Sequence, residues 1–190
     1  MTTLVIIVFS ILSYGSGVGA VLKGKYKPSI YSRLVWFLLA INSFLGVVAL
    51  HNKSGSIALS ILQALGCLAM LLASFKYSVK TFGITERICT LFLLASGVIW
   101  LTAHSPITNV VLSLVAHFIG GVPTLQKAWK SPLSENFFFW FFFAIASWTA
   151  YITADKSHLG NFLYALYFAV WNSLLAVITV RQFKSSMPTA

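Results

Sequence analysis

Gly17-Val18-Gly19-Ala20-Val21-Leu22-Lys23 and, 104 residues further on, Gly121-Val122-Pro123-Thr124-Leu125-Gln126-Lys127 open two stretches of the chain that repeat one another. Carried forward without a gap, the same offset pairs Pro28 with Pro132, Trp36 with Trp140, Phe37 with Phe141, Ala40 with Ala144, Ile41 with Ile145 and Ser43 with Ser147. That makes nine identities within residues 17–43, where apolar bias alone gives roughly two to four. The matched prolines and tryptophans, being rare residue types, carry most of the weight.

The composition around the repeat is that of a membrane protein. Of 190 residues, 58% are hydrophobic and only 8% charged, against about 25% charged in a soluble domain. A water-facing surface cannot be built from that inventory. Apolar runs at residues 4–22, 34–50, 57–75, 88–103, 107–125, 137–154 and 161–180 each approach the ~20 residues that cross the hydrocarbon core. The connections are short, and several hold turn formers such as Ser105-Pro106. The first run lacks the basic residues that precede the core of a secretory signal, and it has an internal counterpart at residues 107–125, so it reads as mature structure.

Thirteen Lys and Arg against three acidic residues give a net charge of +10, a surplus that in a soluble protein points to nucleic acid. Here the charges fall in short loops between apolar runs. Loops after odd-numbered runs hold Lys23, Lys25, Lys27, Arg33, Lys76, Lys80, Arg87, Lys127 and Lys130, and the C-terminal tail adds Arg181 and Lys184. The other side holds only Lys53 and Lys156. By the positive-inside rule the N-terminus lies outside and the C-terminus in the cytoplasm. Nucleic acid is not an expected partner; the lipid bilayer is.

Three helices per unit is an odd number, so two units in direct succession would insert with opposite orientations. A fourth span between them restores the direction. The expected fold is an all-α membrane protein of seven transmembrane helices in a 3+1+3 plan. Residues 1–80 form the first three-helix repeat, 81–104 the linker helix and 105–190 the second repeat. Parallel repeats of this kind commonly enclose a site near the membrane midplane and offer two similar packings for alternating access.

The stretch from Gly121 through Pro123, Lys127, Lys130, Ser131 and Ser134, followed by an aromatic helix ending in Trp148 and Tyr151, resembles the PQ-loop superfamily, and within it the SWEET and SemiSWEET sugar transporters. The resemblance matches Pro123 to the family's proline near the cytoplasmic end of the first helix of each unit. It matches Lys127, Lys130, Ser131 and Ser134 to the basic, serine-containing loop, and Trp148 with Tyr151 to the end of the second helix. It departs where Thr124 follows the proline in place of Gln, where Gly19 stands for the proline in the first repeat, and where Phe44 stands for the tryptophan. The family's prolines on the second helices are also missing, which leaves Pro123 and glycines such as Gly15, Gly17, Gly19, Gly120 and Gly121 as the weak points available for gating.

Polar side chains inside spans are costly and usually face the bundle interior or a cavity. Ser13, Asn42, Gln63, His117, Trp148, Trp171 and Asn172 are the informative ones. The resemblance implies that Asn172 and Trp148 line a solute pocket in the second repeat, with Gln63 the nearest equivalent in the first. Asn172 offers both a donor and an acceptor. An interhelical hydrogen bond is the competing role for Asn172, Asn42 and Gln63. His117 aligns with Ser13 across the repeat and is either a contact or protonation site or a neutral bundle residue; His104, at a span end, reads as interfacial. The aromatic run 137–143 reads as lipid-facing bulk.

No acidic residue falls inside the apolar runs, an arrangement that favours downhill passage over proton coupling unless His117 is the switch. No nucleophile–base pair, carboxylate pair or metal-like spacing is present, so neither an enzyme nor a metal or organic cofactor is expected, and Cys67 and Cys89 read as buried thiols. The expectation is a facilitator for a small polar solute, a sugar first. A receptor or scaffold using the basic loops 23–27 and 127–130, or a vitamin or lipid carrier, are the alternatives. A homo-oligomer is compatible with the plan but not required by it.

Overall fold

The computed structural model describes residues 1–24, 29–50, 55–77 and 83–185. Lys25, Lys27, Pro28, Lys53 and Lys80 lie outside the described residues, as does the side chain of Lys184. Seven apolar helices account for nearly all of the described chain: α1 (Thr2–Leu22), α2 (Ile30–Ala49), α3 (Gly55–Tyr77), α4 (Ile84–Ala103), α5 (Pro106–Lys130), α6 (Phe137–Thr153) and α7 (Leu159–Thr179). A 3₁₀ turn, Pro132–Ser134, joins α5 to α6, and a single short turn, α8 (Gln182–Ser185), follows α7. No strand occurs among the described residues. Six helices are long and apolar enough to cross a membrane, and the 17-residue α6 is shorter. At 1.5 Å per residue α6 reaches about 25 Å, the lower limit for a span.

Local chemistry sets the helix ends. Ser29 caps α2, its hydroxyl accepting from the Ser32 amide, and the Asn136 side chain caps α6 by accepting from the amides of Phe138 and Phe139. Those bonds satisfy donors that a helix start leaves orphaned. At α4 the Glu86 carboxylate reaches back to the Gly83 amide at 2.9 Å, so the helix begins four residues before the apolar run at 88. α5 likewise runs past Leu125 to Lys130. Between α6 and α7, Asp155 accepts from the amide and hydroxyl of Ser157 and from Asn161. Those bonds hold its carboxyl below the usual range, in an exposed turn.

The helices pack in a closed order. α1 lies against α3 and α6; α2 lies against α3 and α5; α7 lies against α5 and α6. Going round, the neighbours are α1, α3, α2, α5, α7, α6 and back to α1. α4 stands outside this ring against α5 and α2. Only Cys89 and Ser96 of α4 are buried, as its position demands.

Two glycines permit the closest approaches. A Cβ on Gly66 would stand 2.2 Å from the Tyr14 ring, and one on Gly121 would stand 2.3 Å from the Trp171 indole. At both places only a hydrogen leaves room for an aromatic plane to lie on a helix backbone. Tyr14 in turn sets its edge against Phe139 and Phe143, with centroids 5.3 Å away in each case.

The aromatic run in α6 departs from the expectation of lipid-facing bulk. Phe138 and Phe141 are exposed, but Trp140 and Phe143 are buried. Helical geometry turns successive residues by about 100°, so a continuous aromatic run must supply both faces at once.

Candidate functional site

A cavity of about 240 Å³ opens among the helices. Its walls come from the C-terminal ends of α1, α3 and α5 (Gly17, Met70, Pro123) and from the N-terminal ends of α2, α4 and α6 (Arg33, Glu86, Trp140). These ends therefore meet at one face. Lys23, Arg33, Lys76, Arg87, Lys127 and Lys130 belong to the same helix ends, so the cavity opens at the basic end of the bundle.

Beneath it lies an inner pocket of about 20 Å³, lined by Gln63, His117, Phe168, Trp171 and Asn172 among others. That is room for about one water. Arg33, Trp36, Phe139 and Trp140 line both spaces and connect them. The inner groups are partly engaged. Gln63 Oε1 accepts from the Tyr164 hydroxyl at 2.5 Å, and Asn172 Nδ2 donates to the Phe168 carbonyl at 2.6 Å. His117 Nδ1 meets the Tyr167 hydroxyl at 2.8 Å, its ring enclosed by Trp36, Tyr167, Phe168 and Trp171 at centroid distances of 4.5 to 5.9 Å. The indole nitrogen of Trp171 is buried without a hydrogen-bond partner among the described residues, and that of Trp140 is buried beside the Glu135 carboxyl. The chamber thus has aromatic walls and polar atoms available to a ligand, the composition expected of a small-molecule site.

The mouth carries the charges. Glu135 is buried and pairs with Lys127 Nζ at 3.3 Å. Burial holds its carboxyl above the ordinary value of 4.5, against the opposing pull of Lys127, Arg33 and the Trp140 indole. Glu86, on α4, accepts from the Ser32 hydroxyl of α2.

At the other end the described residues pack closely. Asn42 Nδ2 lies within 2.7 to 2.9 Å of Ser96 Oγ, Asn109 Oδ1 and Ser113 Oγ, and Asn109 Nδ2 donates back to the Asn42 carbonyl at 3.0 Å. This buried knot ties α2 to α4 and α5. Val47, Leu59, Val110 and Tyr164, all with no exposed surface, plug the space beside it, and Ser56 Oγ bonds the Asn161 carbonyl between α3 and α7.

Four of the site residues expected from sequence, Gln63, His117, Trp171 and Asn172, converge on the inner pocket. Ser13 is buried elsewhere, its hydroxyl donating to the Phe139 carbonyl at 2.7 Å and tying α1 to α6. Trp148 lines neither space. It is 37% exposed on the outer face, and its indole donates to Ser173 Oγ at 2.9 Å. Pro123 lines the mouth, Gly121 lies under Trp171, and Gly19 has nothing within 4 Å of where a Cβ would stand.

Sequence reasoning missed Arg33, Trp36, Glu86, Glu135 and Trp140 as site residues. For the tryptophans a signal was present, since Trp36 and Trp140 are a matched pair of the repeat. For Glu86 it was the Gly83-x-x-Glu86 spacing of a helix start, which places the carboxylate on the helix and not in a loop. A comparison of the chain with protein-family models, with curated proteins and with solved structures finds no match in any of the three. Fold and site therefore define a class: a multi-pass helical membrane protein with a polar, aromatic-walled chamber open at its basic end.

Proposed function

We propose that this protein is a facilitative carrier for a small polar solute, a sugar first, working by alternating access between two three-helix halves. The observation that carries the reading is the chamber itself, open at one end of the bundle and closely packed, among the described residues, at the other. A carrier held in one of its two states has that form, whereas a channel would be open at both ends.

The packing order supports two equivalent halves. Exchanging α1, α2, α3 with α5, α6, α7 maps the ring of neighbours onto itself, turning the α1–α6 contact into the α5–α2 contact. That is the adjacency expected of parallel repeats, and it agrees with the 104-residue offset in sequence and with a PQ-loop, SWEET-like plan of seven spans, 3+1+3. On this reading α6 completes the count of spans, α4 is the peripheral linker, and the basic end faces the cytoplasm. The carboxylates at the mouth, Glu86 and Glu135, lie at one end and not midway, so neither is placed to relay a proton between the two sides. Downhill passage follows.

Uptake of radiolabelled D-glucose into proteoliposomes, with and without an imposed pH gradient, tests this. Saturable uptake that equilibrates and ignores the gradient is expected. Absence of flux for sugars, amino acids and vitamins alike would remove the carrier reading in favour of a receptor or scaffold on the same fold.

A further inference from the structure

The outer cavity of about 240 Å³ is a vestibule to the inner pocket of about 20 Å³. The inner pocket holds one water-sized body and no more, so its wall serves something smaller than the solute of the carrier reading. Arg33, Gln63, His117, Trp171 and Asn172 supply polar groups to that wall, and no carboxylate lines it among the described residues.

The wall is rich in hydrogen-bond donors. Trp171 is 3% exposed, and its Nε1, a donor only, has no hydrogen-bond partner among the described residues. Its indole is fixed by the close approach to Gly121 and by stacking on Tyr167, the two planes 5° apart. Gln63 is buried and gives its Oε1 to the Tyr164 hydroxyl, which leaves its two N–H groups. Asn172, also buried, gives one N–H to the Phe168 carbonyl and keeps the other. These N–H groups outnumber the acceptors beside them, chiefly Asn172 Oδ1. Arg33 adds a guanidinium that is always charged.

The surrounding field has the matching sign. Lys23, Arg33, Lys76, Arg87, Lys127 and Lys130 belong to this end of the helices, against two carboxylates, Glu86 and Glu135. Both carboxylates stand in the vestibule wall and neither in the inner pocket. Glu86 is held by Ser32 and the Gly83 amide, and Glu135 by Lys127 and the Trp140 indole. A surplus of positive charge between low-dielectric walls draws small anions inward. Donors and a cation buried without counterparts are costly. An anion answers both, whereas a water brings two hydrogens of its own.

We propose that the inner pocket is a binding site for one monatomic anion, chloride above all, held by Trp171 Nε1, the amides of Gln63 and Asn172 and the charge of Arg33. Chloride is little larger than a water, while carboxylates, phosphate and sulfate are several atoms across and exceed the pocket. The site goes beyond the carrier reading and stands whether or not the protein moves a solute.

The test is thermal unfolding of the full chain in lipid nanodiscs while sodium chloride replaces sodium gluconate at fixed pH and ionic strength. An ion bound by the folded state alone raises the unfolding temperature with its occupancy. A saturable rise is expected with chloride and with bromide, and none with gluconate. Trp171→Phe keeps a ring and removes the N–H; it should weaken the apparent affinity roughly tenfold, the loss of one hydrogen bond to a charged group. Gln63→Glu puts a carboxylate into the wall while keeping an acceptor for Tyr164, and should abolish the chloride effect. Trp148→Phe, on the outer face, should leave it unchanged. Should a pocket variant fail to fold, chloride-35 NMR line broadening on the unaltered chain, reversed by bromide, decides together with the other variant. Equal stability in chloride and gluconate would mean water only in the pocket and would overturn the site. So would a chloride effect unmoved by Trp171→Phe and Gln63→Glu, which would put the ion on the basic surface. Solute flux is not read here, so the carrier reading stands or falls separately, by uptake into proteoliposomes.

Discussion

Replacing Asn42 by alanine should loosen the closely packed end of the bundle by an amount that can be worked out beforehand. Its amide carries two N–H groups but faces three oxygens within 2.9 Å, on Ser96, Asn109 and Ser113, so two bonds form at a time. Hydrogen bonds between helices in a membrane average about 0.6 kcal/mol and reach about 1.7, giving roughly 1–3 kcal/mol for the pair. The serines are not stranded by the change, because Ser96 still donates to the Leu93 carbonyl and Ser113 to the Asn109 carbonyl. Asn109 Oδ1 does lose its donor, which keeps the cost toward the upper part of that range. A double-mutant cycle with Asn109→Ala, read by reversible unfolding in bilayer discs, isolates the shared term from the cavity each truncation leaves. A coupling of roughly 0.6–1.7 kcal/mol is expected, the range for the one side-chain bond the two residues share. Coupling below about 0.3 kcal/mol would refute the knot as a lock, since 1.4 kcal/mol is what a tenfold shift in population requires.

Other perturbations follow from the same contacts. Gly121→Ala drives a methyl into the Trp171 indole and should lower stability by about 1–3 kcal/mol. Gly19→Ala, with nothing within 4 Å, should be neutral or gain up to about 1 kcal/mol from helix propensity; thermal unfolding of the two variants ranks them. Glu135 has its carboxyl raised by burial, so the folded protein binds that proton more tightly than the unfolded chain. This group's contribution therefore falls as pH rises above 4.5 through the raised folded value. Glu135→Gln should accordingly raise the unfolding temperature at pH 7.5, the gain vanishing on acidification below pH 4.5; an advantage that grows on acidification would contradict the sign. Trp148→Phe should leave solute uptake unaltered, because its indole faces outward to Ser173.

What was legible in the sequence was whatever hydrophobicity alone decides. Each apolar run became a helix, and the basic ends of the helices gathered at one face. Boundaries were less visible where polar chemistry extends a helix, as at Glu86 and at residues 126–130. The pocket was legible only in part, for a physical reason. In a bilayer both the buried and the lipid-facing sides of a helix are apolar, so periodicity does not report which way a residue looks. Trp140 and Trp148 show the difficulty. They lie on one helix, eight residues and therefore about 80° apart, and that rotation separates a cavity wall from the outer surface of the bundle. Gln63, His117, Trp171 and Asn172 were found because polar atoms inside a membrane must be accounted for individually. Glu135 escaped notice because a carboxylate beside a lysine in a connecting turn reads as solvated, and only packing buries it.

Side-specific labelling of single cysteines reaches the central claim most directly. With Cys67 and Cys89, both buried, replaced by serine, cysteines introduced at Ala20 and Thr124 line the vestibule, while one at Ser113 lies in the buried knot. A membrane-impermeant maleimide should modify positions 20 and 124 from the side carrying the basic helix ends, and leave 113 unreacted from either side. Modification of 113 from the opposite side while 20 and 124 stay protected would contradict a chamber open at the basic end.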